Sequence, residues 1–167
     1  GVWHYEYAVE NRNSDRGIGS FTVNFPAGTQ ISNAEMRMVL QHSGIAAEDA
    51  DRNTAWSQTI NTSNIAWSTN TVYSAATPTL GSYIRWGTMY NFRFDANVAP
   101  TNSGAVSMDY YKPGTPTSIT AAAWVPGAST AGCYANCDGS TTAPFLSVND
   151  FSCFLNRYAA GDPAANC

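Results

Sequence analysis

The sequence predicts an all-β fold, an antiparallel β-sandwich of eight or nine strands, with a short C-terminal disulfide-rich loop-helix appendage. Three observations predict it. Apolar and polar residues alternate in segment after segment up to about residue 125, the period of a half-buried strand. Only 12% of the 167 residues are charged, the balance being rich in Thr, Ser, Asn, Gly and Ala with 13% aromatics. The four cysteines all fall between positions 133 and 167.

The strands follow in order. Trp3, Tyr5, Tyr7 and Val9 share one face of the first, with His4, Glu6, Ala8 and Glu10 on the other. Phe21, Val23 and Phe25 repeat the pattern, and Pro26-Ala27-Gly28 ends it. Met36, Met38 and Leu40 form a third alternating set; Tyr90, Phe92 and Phe94 a fourth; Val106, Met108 and Tyr110 a fifth. Weaker strand signals surround 56–60, 65–68, 83–86 and 118–124. Two stacked antiparallel sheets bury one face of every such strand. A closed barrel is the runner-up. Before residue 147 no segment has a helical period, and Glu48-Asp49-Ala50-Asp51-Arg52-Asn53 reads as a solvated acidic loop. The glycosylation triplet Asn61-Thr62-Ser63 reads as a turn.

Composition excludes several classes. A chain that is 44% hydrophobic is not disordered. Its net charge is −4, and its seven arginines and Lys112 are dispersed, so the clustered cations that nucleic acid requires are missing. No apolar run approaches the roughly 18 residues of a membrane span. The chain begins at Gly1 with a strand-like segment, which reads as a mature or trimmed end.

A boundary is expected at Pro126-Gly127-Ala128-Ser129-Thr130-Ala131-Gly132, small and uncharged, so that 1–125 form the sandwich domain, 126–132 a linker and 133–167 a tail. Cys133, Cys137, Cys153 and Cys167 read as two disulfides in an oxidising compartment. Zinc would need a second close pair, which Cys153 and Cys167 do not form. Ser147-Val148-Asn149-Asp150 is a helix start resembling a capping box. Phe151, Phe154, Leu155 and Tyr158 follow at helical spacing, and Ala160-Gly161-Asp162-Pro163 stops the helix. The Ala-Asn-Cys triplet ending at Cys137 recurs at Cys167, the mark of a loop–helix repeat whose second half is cut off or not included.

The tail motifs Cys137-Asp138-Gly139-Ser140, Val148-Asn149-Asp150-Phe151 through Asn156, and Ala159-Ala160-Gly161-Asp162-Pro163 through Cys167 resemble the GC-type dockerin-like domain. That domain ends many large secreted or surface proteins of planctomycete-type bacteria. The segments 5–11, 13–16, 85–94 and 112–116 are similar to the sandwich modules that precede such tails. The resemblance implies a loop–helix half that binds calcium and offers its helix to a cohesin-like or cell-surface partner. Asn136, Asp138 and Asp150 would be its calcium ligands, but Tyr134 stands at the first loop position and extra residues separate Asp138 from Asp150. Disulfides then take over from calcium, and of three connectivities the chosen one is Cys137–Cys153 with Cys133–Cys167.

Other chemistry is sparse. His4 lies on a strand and His42 leads a turn, and neither sits in a catalytic motif. Glu6 and Glu10 share a strand face but are about 13 Å apart, and no carboxylate pair is singled out. Asp49, Asp51 and Asn53 have the spacing of a second calcium loop, with Thr54 in place of the turning glycine. Trp3 and Trp86 are expected in the core. Trp56 and Trp67 flank a Thr/Asn-rich hairpin and are the candidate sugar-stacking platform. The expectation is a non-enzymatic extracellular structural protein, without a required cofactor, that self-assembles into a cell-surface filament or layer. The alternative is a surface module that binds polysaccharide and attaches through its tail.

Overall fold

A computed structural model describes residues 1–127, 137 and 147–161. The chain divides into two compact units, Gly1–Ala128 and Ser129–Cys167.

The first unit is an antiparallel β-sandwich. Its strands are β1 (Trp3–Asn11), β2 (Ser20–Asn24), β3 (Ile31–Arg37), β4 (Ser57–Ile60), β5 (Asn64–Ser68), β6 (Thr88–Ala96), β7 (Pro100–Asp109) and β8 (Ser118–Pro126), with one short helix, α1 (Ala46–Arg52). One sheet has the order β1-β6-β3 and the other β4-β5-β2-β7-β8. The inward rows are those of the alternating pattern: Tyr5, Phe21, Val23, Ile65, Trp67, Tyr90, Phe92, Phe94 and Val106 are all buried. Aromatic pairs join the two layers. Phe21 of one sheet lies 4.6 Å from Phe92 of the other, Trp67 lies 5.2 Å from Phe92, and Tyr7 lies 5.4 Å from Phe21. Each such pair adds about 0.5–1.5 kcal/mol beyond the area it buries.

The structure departs from the sequence reading in three places. The acidic stretch is helical, not loop: α1 has too few turns to show a period, and Glu48 bridges Arg52 one turn on at 2.9 Å. The segment around Tyr83–Trp86 is not a strand; Ile84 makes only an isolated bridge to Ile18. And β3 stops at Arg37, after a bulge between Ser32 and Glu35 where Asn33 takes a positive φ of 51°.

In the second unit, α2 spans Val148–Ala159. Ser147 Oγ accepts from the Asn149 amide at 3.1 Å, and Asp150 Oδ2 accepts from the Ser147 amide at 2.7 Å, so a capping box starts the helix. A disulfide joins Cys137 to Cys153 of α2, with Cα atoms 5.7 Å apart. Cys133 and Cys167 lie outside the described residues.

Candidate functional site: the open flank between β1 and β8

β1 is an edge of the three-stranded sheet and β8 an edge of the five-stranded one. Along this flank the layers are not sealed. A cleft of about 470 Å³ is lined by His4, Glu6, Tyr7 and Trp124 among others. A second of about 430 Å³ runs over Tyr7, Val9, Phe21, Met108 and Ala121 to Ala123. Among the described residues one hydrogen bond crosses the gap: the Tyr7 hydroxyl donates to the Trp124 carbonyl at 2.8 Å. Burial, followed by repulsion from a Tyr5 phenolate, holds the Tyr7 phenol neutral well above the ordinary tyrosine range. Burial alone pushes Tyr5 up to about 12.

Charge is divided between the two sheets. The strands of the three-stranded sheet carry Glu6, Glu10, Glu35, Arg37, Arg93 and Asp95 together with His4. Cross-strand pairs organise them: Arg93 holds Glu35 at 2.6 Å, and His4 Nδ1 lies 2.6 Å from Asp95 Oδ1. The hydrogen bond and charge of Arg93 lower the Glu35 carboxyl, and hydrogen bonds from Asn33 and His4 lower Asp95. The strands of the five-stranded sheet carry a single charge, Asp109. Across the outer face of that sheet one register row reads Thr59, Ala66, Thr22, Ser107, Thr120.

The predicted aromatic platform is in the core. Trp67 is 1% exposed and Trp56 8%. Trp67 shares the inward parity of Ile65 and donates Nε1 to Gln58 at 3.0 Å, while Trp56 donates Nε1 to Ser82 and packs on Tyr90. Conversely Trp3 is 47% exposed and Trp86 72%, because they stand at a strand end and in a loop where alternation does not imply burial. Trp124, never singled out as a site, is 60% exposed at the cleft mouth. Its signal was parity: Val125 and Ala123 point inward, so Trp124 points out.

The set Asp49, Asp51 and Asn53 does not assemble as a calcium loop. Asp49 and Asp51 sit two residues apart on α1, on diverging faces. Asp49 accepts from the Ser43 amide at 2.6 Å, and Asn53 is bonded through both side-chain atoms to the Gln41 backbone. Asp150 caps α2, and Asn136 and Asp138 lie outside the described residues. Among the described residues no three His, Cys, Asp or Glu side chains are grouped to hold a metal. Nor is any described helix long and apolar enough to cross a membrane.

The polar motifs of the front unit meet in a structural lock. Arg16 donates to the carbonyls of Lys112, Gly114 and Pro116 at 3.1, 3.0 and 2.7 Å, and its guanidinium lies over the Tyr110 ring. Lys112 pairs with Asp15 at 3.0 Å. Asn11 ties Ser14 to Ile84. Apart from the Asp15 carboxylate, their partners are backbone carbonyls and a ring, contacts that fix loops. No family model, curated protein or solved structure matches the chain.

Proposed function

We propose that this chain is a non-enzymatic extracellular structural subunit that assembles with copies of itself into a cell-surface filament or layer. The observation that carries the reading is the division of charge. The five-stranded sheet presents an outer face and two edges whose only charge is Asp109, at the end of β7. Charges at sheet edges and on sheet faces are what keep most β-proteins apart. An edge strand without charge and a face with a single one provide two contacts per subunit, enough for an extended array. The Cys137–Cys153 disulfide fits an oxidising, extracellular setting. The capped helix α2, if the tail is dockerin-like, supplies a means of attachment to a cohesin-like or surface partner. The test is light scattering with negative-stain microscopy over a wide concentration range. Regular rods or sheets are expected; a strict monomer throughout would refute the reading.

A second reading is favoured by Trp124. Its exposed indole stands beside His4, Glu6 and Tyr7 in an open cleft of about 470 Å³, an apolar plate with polar partners of the kind that sugars stack on. A glycan array separates the two readings: hits abolished by Trp124→Ala support capture, and an empty array rejects it.

A further inference from the structure

The sandwich has four edge strands, β1, β3, β4 and β8. Three carry a device against pairing. β3 is bulged and bears Glu35 and Arg37, β4 has only four residues, and β1 bears Glu6 and Glu10. β8 has nine residues, no charge and its one proline at the last position, and the bulge in its ladder falls on β7, between Thr101 and Gly104.

We infer that a second copy of this chain docks along β8, antiparallel, about a two-fold axis at Ala121, to make one continuous ten-stranded sheet. This rests on the self-assembly reading and names its contact. The Tyr7 bond fixes which backbone groups of β8 face the free edge. The Trp124 carbonyl accepts from Tyr7 across the flank, on the side away from β7. Main-chain groups alternate in direction with a period of two, so those of Ser118, Thr120 and Ala122 also face the free edge. Hydrogen-bonded pairs in an antiparallel ladder unite residues of this set, and centring the overlap of 118–124 puts the axis at Ala121. Thr120 of each copy then stands opposite Ala122 of the other, and Ser118 opposite Trp124. The exposed indole is laid against small side chains instead of water.

The occupant follows from charge. Pairing β8 with its own copy sets no charges opposite one another. The same operation on β1 would bring four acidic side chains, Glu6 and Glu10 of each copy, onto one short ladder. β4 offers an uncharged partner too, but engages only four of the nine residues. The self-pair engages seven of the nine, more than any other uncharged edge offers.

Two variants of the full chain test this. In Ala121→Cys the axis brings the two introduced thiols to a non-hydrogen-bonded position with Cα atoms about 4.5 Å apart, within disulfide range. Mild oxidation is expected to give a covalent dimer whose peptide map shows residue 121 joined to residue 121. In the double variant Thr120→Lys, Ala122→Lys, lysines face each other across the axis. Association is expected to weaken at least tenfold with the denaturation midpoint unchanged, since both side chains are exposed. If the lysine variant associates like the parent and the cross-link does not form, β8 pairing is overturned while self-assembly stands. If the unmodified protein is monomeric at every concentration, both fall.

Discussion

Replacing Trp67 by alanine tests whether the core or the surface owns the aromatic side chains. Trp67 is 1% exposed and sits among Phe21, Phe92 and Phe94, at ring separations of 6.1, 5.2 and 6.4 Å. A buried tryptophan removes about 150–250 Å² from water, which at ~25 cal/mol per Å² is worth roughly 4–6 kcal/mol. Alanine keeps its own Cβ, and neighbours collapse only partly into the space, so losses of about 3–5 kcal/mol are typical. The hydrogen bond to Gln58 adds little, because that carboxamide is exposed and regains water. The expected loss is about 4 kcal/mol. For a unit of this size that lowers the melting temperature on the order of 10–15 °C. Urea denaturation followed by far-UV circular dichroism reads it directly, with Trp86→Ala as the exposed counterpart, expected within about 0.5 kcal/mol. A Trp67→Ala loss below ~1 kcal/mol would refute the placement of this ring at the interface of the two sheets.

Five further outcomes are expected. Gly17→Ala should destabilise by about 1–3 kcal/mol from backbone strain alone, since Gly17 has φ +63° and a Cβ there would run into the Tyr83 ring; thermal melts check it. Arg16→Ala should lose about 2–3 kcal/mol and loosen 112–116, seen as faster amide exchange there, because one guanidinium serves three carbonyls. Ser147→Ala should weaken α2 by about 1 kcal/mol without moving the sandwich transition, and reduction of Cys137–Cys153 should loosen the tail first, both followed by limited proteolysis. On the alkaline side, Tyr5 keeps its proton to about pH 12 when folded but releases it near 10 when unfolded. The folded state then binds more protons in that window. Stability is fully present below pH 10 and falls as pH rises from 10 to 12, and Tyr5→Phe should flatten the fall in a pH series of urea midpoints.

Much of the fold was legible because a strand announces its parity. Once Tyr5, Phe21, Val23, Phe92 and Phe94 are placed inward, their neighbours are placed outward, and the two inner faces follow. The cap of α2 was legible for a similar reason: Ser147 and Asp150 bond within one turn, and nothing distant can overrule them. Parity fails where the strand does. Trp3 lies at an end and Trp86 in a loop, so the pattern sent both into the core when only tertiary packing could decide. Trp56 is the opposite error: it precedes β4, and the nearby Ser82 that satisfies its indole is 26 residues away in sequence. Short α1 escaped because seven residues contain too little periodicity to outweigh four acidic or basic side chains.

The feature on which the proposed assembly rests was written in the sequence without being readable there. Ser118 to Pro126 is visibly uncharged, but so are β2 and β5, which lie inside the sheet where lack of charge has no consequence. Neutrality matters only at an edge, and being an edge is a property of strand order, which pairs β2 with β5 and β7 across long stretches of chain. Once the order is fixed, the same composition changes meaning. In the interior of the five-stranded sheet, small uncharged residues complete a ladder that is already satisfied. Along β8 they leave main-chain donors and acceptors of Thr120 and Ala122 facing outward with no side chain to repel an approaching strand. The six charges on the strands of the other sheet show that this chain can place charge on strands, β1 among them. Edge strand β4 shares that neutrality but has only four residues, so β8 is the one long edge of the sandwich without charge, and that length of unguarded backbone is what the proposed assembly rests on.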